Sequence, residues 1–510
     1  MPQGSYPVFI ELRAQAVLPD HLLHGILQVE VVLLFHWGKD NVKCEVVSAK
    51  CEVYDIRVNV DFALRTDDFA LYIIFGPEKQ PNIVPVLRLF KTQYVWIAFL
   101  LLLPVMNNRI RANMRSVIWS DAEGYYMYLP GAFIIKDFHK IPEGSMNARK
   151  NEQGEVVIKY TCGVSYFFLP FFAAAHTWTA WKGEDPNDYF NRHYLRAIAW
   201  CGFFFGFLGL FFLRRTLLRR YSESVTALTI FSLLLGTNLF HYVTREMSIS
   251  HSFSFFLFAF VGWLTPRFLD DKSWKNTLLL GGALGWITLI RPTNAMVALF
   301  VLLYDVYSWK ALKDRLAELW SIRSKLLGAA AMAFLFFIPQ LLYWKEMTGR
   351  WFRYSYEGER FIYWNKPKIA DVLFDVQNGL LLYSPIVLFA LIGIGFGWKQ
   401  RRHQAPANTL LFVLATYIFA SWWAWWFGGA FGHRCYVEFY AILALPMAGF
   451  YESVLRARRW VKIPVLLLAL FLMYYGVKMS FLYSELPGPW DGWDWRWNWE
   501  KILWVWEHLF

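Results

Sequence analysis

The apolar positions of this chain fall into two regimes. Up to about residue 90 they alternate with polar ones: Tyr54, Ile56, Val58, Val60, Phe62 and Leu64 are interleaved with Asp55, Arg57, Asn59, Asp61 and Ala63, the period-two pattern of a half-buried strand. Arg65-Thr66-Asp67-Asp68 reads as a turn into a second strand over Phe69 to Phe75. Residues 1–90 therefore predict a small β-rich appendage, poorly packed because so short a segment barely forms an independent core. From Tyr94 onward the apolar residues come in long runs, eleven of them, over roughly 93–106, 195–213, 224–243, 251–266, 277–290, 293–307, 326–345, 381–398, 406–425, 436–453 and 463–482. Most approach the ~20 residues that cross ~30 Å of hydrocarbon. The predicted fold is an all-α polytopic membrane protein with about eleven transmembrane helices in residues 91–482. In the Trp-rich tail, 483–510, the residues Trp490, Trp493, Trp495, Trp497, Trp499, Trp504 and Trp506 predict an interfacial helix.

The charges between the runs orient them. Arg214, Arg215, Arg219 and Arg220 follow the second run, Arg267, Lys272 and Lys275 the fourth, and Lys310, Lys313, Arg315, Arg323 and Lys325 the sixth. Lys399, Arg401 and Arg402 follow the eighth, and Arg456, Arg458, Arg459 and Lys462 the tenth. Every even run exits into a basic loop, which predicts a cytoplasmic N-terminus and cytoplasmic basic loops. That alternation requires Gly163 to Trp181 to be interfacial or re-entrant on the outer side. No cleavable signal peptide opens the chain, so the first run is expected to act as the uncleaved signal.

Composition agrees with the pattern: 57% of the 510 residues are hydrophobic, 20% are aromatic, and Trp and Tyr number 27 each. The net charge of +12 lies in short clusters between apolar runs, which argues against nucleic acid as a partner. Cys44, Cys51, Cys162, Cys201 and Cys435 show neither CxxC nor Cys/His spacing, so no zinc site or disulfide framework is indicated.

With this orientation the outer side collects the chemistry. Ile118 to Pro130 places Asp121 and Glu123 among Tyr125, Tyr126 and Tyr128 at a membrane boundary. Asp121 and Tyr125 lie one helical turn apart, an acid and a phenol that converge on one ligand. Ser120-x-x-Glu123 spells a capping box, which assigns Glu123 to the helix start and leaves Asp121 for chemistry. Arg245, Glu246 and His251 fall in the second outer loop, and Arg291 and Asn294 in the third. The fourth contributes Arg350, Arg353, Tyr354, Tyr356, Glu357, Glu359 and Arg360, and the fifth Trp422, Trp423, Trp425, Trp426, His433 and Arg434. Ionisable groups at such boundaries are functional candidates, against a bland role as snorkelling residues. Arginines, aromatics and a carboxylate beside a bilayer suit a substrate with a phosphate head and a lipid tail. Arg245, Arg291, Arg360 and Arg434 are the candidate phosphate clamp, with Arg245 and Arg291 foremost because each sits at a break between apolar runs.

Several stretches also resemble a known family. Ser-Asp-x-Glu-Gly-Tyr-Tyr-x-Tyr-Leu-Pro at 120–130, Lys-Tyr-x-x-Gly followed by Leu-Pro-Phe-Phe-x-x-Ala-His at 159–176, and Arg-Pro-Thr-Asn at 291–294 are similar to the GT-C superfamily of integral membrane glycosyltransferases. So are Asn-Gly-Leu-Leu-Leu-Tyr-Ser-Pro at 378–385 and Trp-Trp-Phe-Gly-Gly-Ala-Phe-Gly-His-Arg at 425–434. The branch is that of bacterial relatives of protein O-mannosyltransferases and the lipid A aminoarabinose transferase. The resemblance covers about 100–482, and only the first-loop acidic motif is specific to the chemistry. It implies inverting transfer of a sugar from a polyprenyl-phosphate donor to a hydroxyl of a glycan, lipid or protein acceptor, on the outer face, with Asp121 catalytic. Residues 1–90 have no counterpart in that family, and a large soluble C-terminal domain is lacking. Donor binding is assigned to Arg245, Arg291, Arg360, Arg434, Tyr125 and His251. No cofactor is required by this reading; a divalent metal stays open, with Asp121, Glu123 and His251 as candidate ligands. Two rivals remain: an O-antigen ligase or polymerase, which would use outer arginines and His433, and a lipid or glycan transporter, whose signature of paired broken helices is met only once, at 277–307.

Overall fold

The computed structural model describes residues 94–142, 157–356 and 358–483 in full, with 496 and 500–502 from the tail. Residues 8–17, 26–37, 42–53, 72–73, 84–85, 148–150 and 156 are described as backbone. The chain divides into two units, Met1–Gln93 and Tyr94–Phe510. In the first, strands β1 (Val8–Val17), β2 (Ile26–Trp37) and β3 (Val42–Val53) form an antiparallel sheet in that order, with a register shift between Val32 and Leu33. The expected β-rich appendage is corrected accordingly. Strands are a minor part of a mostly helical structure, and the sheet uses runs rich in Val, Ile and Leu that precede the alternating stretch. That stretch, 54–64, lies outside the described residues, and of Phe69 to Phe75 only Tyr72–Ile73 is a strand, paired with Val84–Pro85.

The second unit is helical. Its principal helices are α1 (Tyr94–Ala112), α2 (Asp121–Tyr126), α3 (Ser165–Trp181), α4 (Arg192–Leu217), α5 (Glu223–Gly236), α6 (Leu239–Thr244), α7 (Ser250–Asp270) and α8 (Trp274–Ile290). They continue with α9 (Trp309–Ser321), α10 (Arg323–Leu335), α11 (Ile338–Thr348), α12 (Val387–Gln400), α13 (Ala405–Ser421), α14 (Tyr440–Arg456) and α15 (Arg459–Leu482). Among the described residues α1, α4, α7 and α15 are long and apolar enough to cross a membrane, and α10 with α11, bent by 45°, makes a fifth if counted as one span. The protein is thus an apolar helical bundle of membrane type, but the expected eleven spans are not found. Chain breaks account for the difference: Thr237-Asn238 splits the third run into α5 and α6, Arg291-Pro292 ends α8, and Ser384-Pro385 precedes a 14-residue α12. Strict alternation across eleven spans therefore no longer orients the bundle.

Local chemistry explains the helix starts. Ser222, Ser273 and Ser308 cap α5, α8 and α9 by accepting the backbone N–H three residues on, while Pro292 and Pro406 occupy first-turn positions where the missing N–H costs nothing. The core is aromatic: the Phe167 ring of α3 stacks on Trp286 of α8 with centroids 4.1 Å apart, and α4 packs along α7. Helix α7 runs the full depth of the bundle, about 30 Å for its 21 residues, and has a different polar cluster at each end. The Trp-rich interfacial helix expected for the tail lies outside the described residues.

Candidate functional site

The C-terminal ends of α8 and α13 and residues from the segments 159–160, 354–361 and 422–435 converge beside Asp121 of α2 around a cavity of about 450 Å³. Its wall is aromatic, supplied by Tyr354, Tyr356, Phe361, Trp422, Trp426 and Phe427; its charged lining is Asp121, Lys159, Arg291, Glu359 and Arg434. Asp121 is nearly buried at 8% exposure. It accepts a hydrogen bond from the Tyr160 hydroxyl at 2.7 Å and pairs with Arg434 Nη1 at 3.0 Å. Burial works against the charge of Asp121, but Arg434 and Tyr160 outweigh it and hold the carboxyl below the usual carboxylate range. The same pairing holds the buried Arg434 charged against its own desolvation.

The backbone that aims Arg434 is demanding. Gly432 has φ +64°, and a Cβ there would meet the Tyr383 Cβ at 2.8 Å, so no other residue fits without moving this segment. Ser120, just before Asp121, also has a left-handed φ of 55°. That geometry corrects the expected capping box: a capping serine needs extended backbone, and Ser120 makes no side-chain cap, its hydroxyl instead donating to Asp121 Oδ1 at 3.5 Å. Glu123 is half-buried on α2 and does not line the cavity.

Arg291 lies on the next side of the cavity. Its Nη1 approaches Glu438 Oε1 at 3.7 Å and donates to Cys435 Sγ at 3.4 Å. Glu438 is fully buried and also holds His251 Nδ1 at 3.0 Å and the Asn294 amide at 3.1 Å. Lys159 pairs with Glu359 at 2.6 Å and lies over the rings of Tyr160 and Tyr356. The cavity thus presents three cations, Lys159, Arg291 and Arg434, and two carboxylates, Asp121 and Glu359, to whatever fills an aromatic slot.

The sequence-predicted residues divide. Asp121, Arg291 and Arg434 come together. Tyr125 stands behind Tyr160, ring centroids 4.9 Å apart, and does not line the cavity; nor does His251, which supports Glu438 from behind. Arg245 and Arg360 are corrections to the clamp: Arg245 packs over the Phe481 ring away from the cavity, and Arg360 is solvent-exposed. His433 is fully buried, donates Nε2–H to the Trp425 carbonyl at 3.0 Å, and is pushed down by burial to about 3, the state of a neutral packing residue. Glu357 lies outside the described residues. Among the described residues no group of three His, Cys, Asp or Glu is placed to hold a metal ion, and the trio Asp121, Glu123 and His251 is not assembled: Asp121 faces Arg434 while His251 faces Glu438.

Sequence reasoning missed the roles of Lys159, Tyr160 and Glu438. Glu438 carried a usable signal, a lone carboxylate at the start of an apolar run, which is costly unless paired. Lys159 and Tyr160 open the Lys-Tyr-x-x-Gly motif, but the motif assigns them no role, since their place depends on Tyr343 and Glu359, some 185 and 200 residues away in the chain, which bond Ile158 and Lys159.

No protein-family model matches the chain, and no curated protein is significantly similar to it.

The cavity makes a distinction among the four arginines testable. On the reading proposed below, replacing Arg291 by alanine should lower turnover of a phosphate-bearing donor by about 10- to 100-fold, the range for a lost hydrogen bond to a charged group. Arg360→Ala should stay within about fivefold, as for an exposed charge. Steady-state rates of both purified variants check this, and equal losses would place the clamp elsewhere.

Proposed function

We propose that this protein is a membrane glycosyltransferase of GT-C type. It moves a sugar from a polyprenyl-phosphate donor to an acceptor hydroxyl, with inversion, on the outer face of a bacterial inner membrane whose cytoplasmic side holds the N-terminus. The observation that carries the proposal is the Asp121 carboxyl, held by Arg434 and Tyr160 in the lining of an aromatic-walled cavity that also contains Arg291 and Lys159.

In this reading the aromatic slot takes sugar and lipid, since Trp and Tyr rings stack on sugar faces and prenyl chains alike. The donor phosphate sits against Arg291, Arg434 and Lys159. Asp121 accepts the proton of the acceptor hydroxyl as the acceptor oxygen bonds to the anomeric carbon. The bond from that carbon to the phosphate oxygen breaks on the opposite side, and its electron pair leaves with the polyprenyl phosphate. Charge grows on the phosphate as this happens, so the cations stabilise the transition state more than the bound donor.

The Asp121–Arg434 pair has a further role here. A carboxylate held this low is a weak base. When Arg434 turns toward the donor phosphate, Asp121 loses part of its counter-charge and becomes more basic once the donor is in place. Acceptor activation would thereby wait for donor binding. The direct experiment supplies short-chain polyprenyl-phosphate sugars to purified protein and follows release of the polyprenyl phosphate. Turnover dependent on Asp121 supports the reading; no release from any such donor, with folded protein in lipid, contradicts it.

A further inference from the structure

A second polar cavity lies at the other end of α7 from the site, and we propose that it binds the headgroup of an aminophospholipid, its phosphate on Arg219 and Arg220 and its ammonium on Asp270, Asp305 and Glu318. The cavity holds about 400 Å³ and is lined by these residues together with Arg315, Tyr304, Pro266 and Leu269.

Its depth follows from two elements. Asp270 closes α7, whose N-terminal end carries His251 behind Arg291, so the two cavities are about one 21-residue helix apart, roughly 30 Å, which is the thickness of bilayer hydrocarbon. Arg315 and Glu318 belong to α9, a helix with no buried residue. The outward face of α9 carries Trp309, Leu316 and Trp320, which are 71%, 50% and 72% exposed, with Lys310 and Lys313 beside them and Arg323 over the Trp320 ring. Tryptophans on one face flanked by lysines form an interfacial helix, and its occupant here is the membrane surface. The cavity therefore opens at headgroup level.

Its chemistry favours a group carrying both charges. Arg219 pairs with Asp270 at 3.0 Å and Arg220 with Asp305 at 2.5 Å, while Glu318 is held by both Lys272 at 2.5 Å and Arg315 at 3.3 Å. The Arg219–Asp270 and Arg220–Asp305 pairs are about one-third exposed or more, so they contribute little and exchange readily for a phosphate and an ammonium. A purely anionic headgroup would take the two arginines and leave Asp270 and Asp305 without a cation, whereas Glu318 keeps Lys272.

The floor is built to hold its shape. Asp305 has a left-handed φ of 57°, maintained by Gln404, whose Oε1 accepts the Asp305 N–H and whose Nε2 donates to Asp305 Oδ1, both at 2.7 Å. Gln404 is buried, is itself left-handed at φ 57°, and donates its own N–H to the Tyr307 hydroxyl at 3.0 Å. Two loops that join different helices, 303–308 and 401–404, are locked together beside the cavity, an arrangement that packing of the helices does not require.

The test is native mass spectrometry of the full-length protein in detergent, titrated with phosphatidylethanolamine, phosphatidylglycerol or inorganic phosphate. The expected result is retention of one phosphatidylethanolamine at least about fivefold above phosphatidylglycerol, with no displacement by inorganic phosphate. Arg219→Gln should reduce that retention about fivefold, and Asp270→Asn should abolish the preference between the two lipids. Both positions are exposed enough for the variants to fold; Glu318→Gln, which should also weaken the preference, serves as a third. Equal or stronger retention of phosphatidylglycerol, displacement by inorganic phosphate, or variants that retain lipid as the parent does would each overturn the proposal.

Discussion

Asp121→Asn should lose at least a hundredfold in transfer while the bundle stays folded. An acceptor hydroxyl is a weak nucleophile, and a positioned base contributes about 10²- to 10⁴-fold. Asparagine keeps the size of the side chain and can still accept the Tyr160 hydroxyl. It leaves Arg434, only 17% exposed in its side chain, without its carboxylate, so stability should also fall by about 1–3 kcal/mol. Stability and catalysis separate in the double variant Asp121→Asn with Arg434→Gln. Removing both charges relieves most of the stability loss, because no buried charge is left unpaired, while transfer stays lost. Rates and urea unfolding of the two single variants and the double one provide the check. A double variant that regains transfer along with stability would make Asp121 a structural partner. Glu123→Gln should be nearly silent in the same assays, since Glu123 lies off the cavity.

Arg434→Gln is expected to lower turnover by about 10²- to 10³-fold, the range for removing one preorganised group that stabilises developing negative charge. Its second effect is on pH. In the parent protein Arg434 and Tyr160 outweigh burial and hold Asp121 below the usual carboxylate value, so it keeps its charge to lower pH than an ordinary carboxylate. Its contribution to stability is full above the unfolded-state value and is lost as pH falls through the lower folded value. Without Arg434, the largest influence that opposes burial is gone and the folded value rises. The acid limb of the pH–rate profile should therefore move up in Arg434→Gln. An acid limb that stays in place would mean that Arg434 does not control Asp121.

Sequence and structure part at identifiable points. Of the three residues that meet, Arg291 and Arg434 were legible because each sits beside an apolar run, where a charge is expensive without a partner, and Asp121 because it lies among tyrosines in the acidic motif that follows the first run. Arg245 and Arg360 sit at similar edges yet face elsewhere, since position along a run does not tell which way a loop turns. Aromatic residues around the cavity were visible as Trp422 to Trp426, but not the packing of Tyr356 against Tyr160 and Trp422, which joins three distant segments. For the fold, apolar length was read correctly and helix continuity was not. Runs such as 224–243 are apolar throughout, and the Thr237-Asn238 break inside them leaves hydropathy almost unchanged while ending a helix. The Ser120 motif misled for a related reason: its spacing fits a capping box, but a left-handed serine cannot form one.

The central claim is that the aromatic cavity takes a polyprenyl phosphate against Arg291 and Arg434. Its most direct measurement is the binding of a short-chain polyprenyl phosphate to purified protein by native mass spectrometry, in the parent and in the Arg291→Gln, Arg434→Gln double variant. One lipid phosphate should bind the parent, and its binding should be weakened at least about a hundredfold in the double variant, as two lost charge-assisted contacts require. A folded parent protein that binds no polyprenyl phosphate, or a double variant that binds it as tightly as the parent, would contradict it.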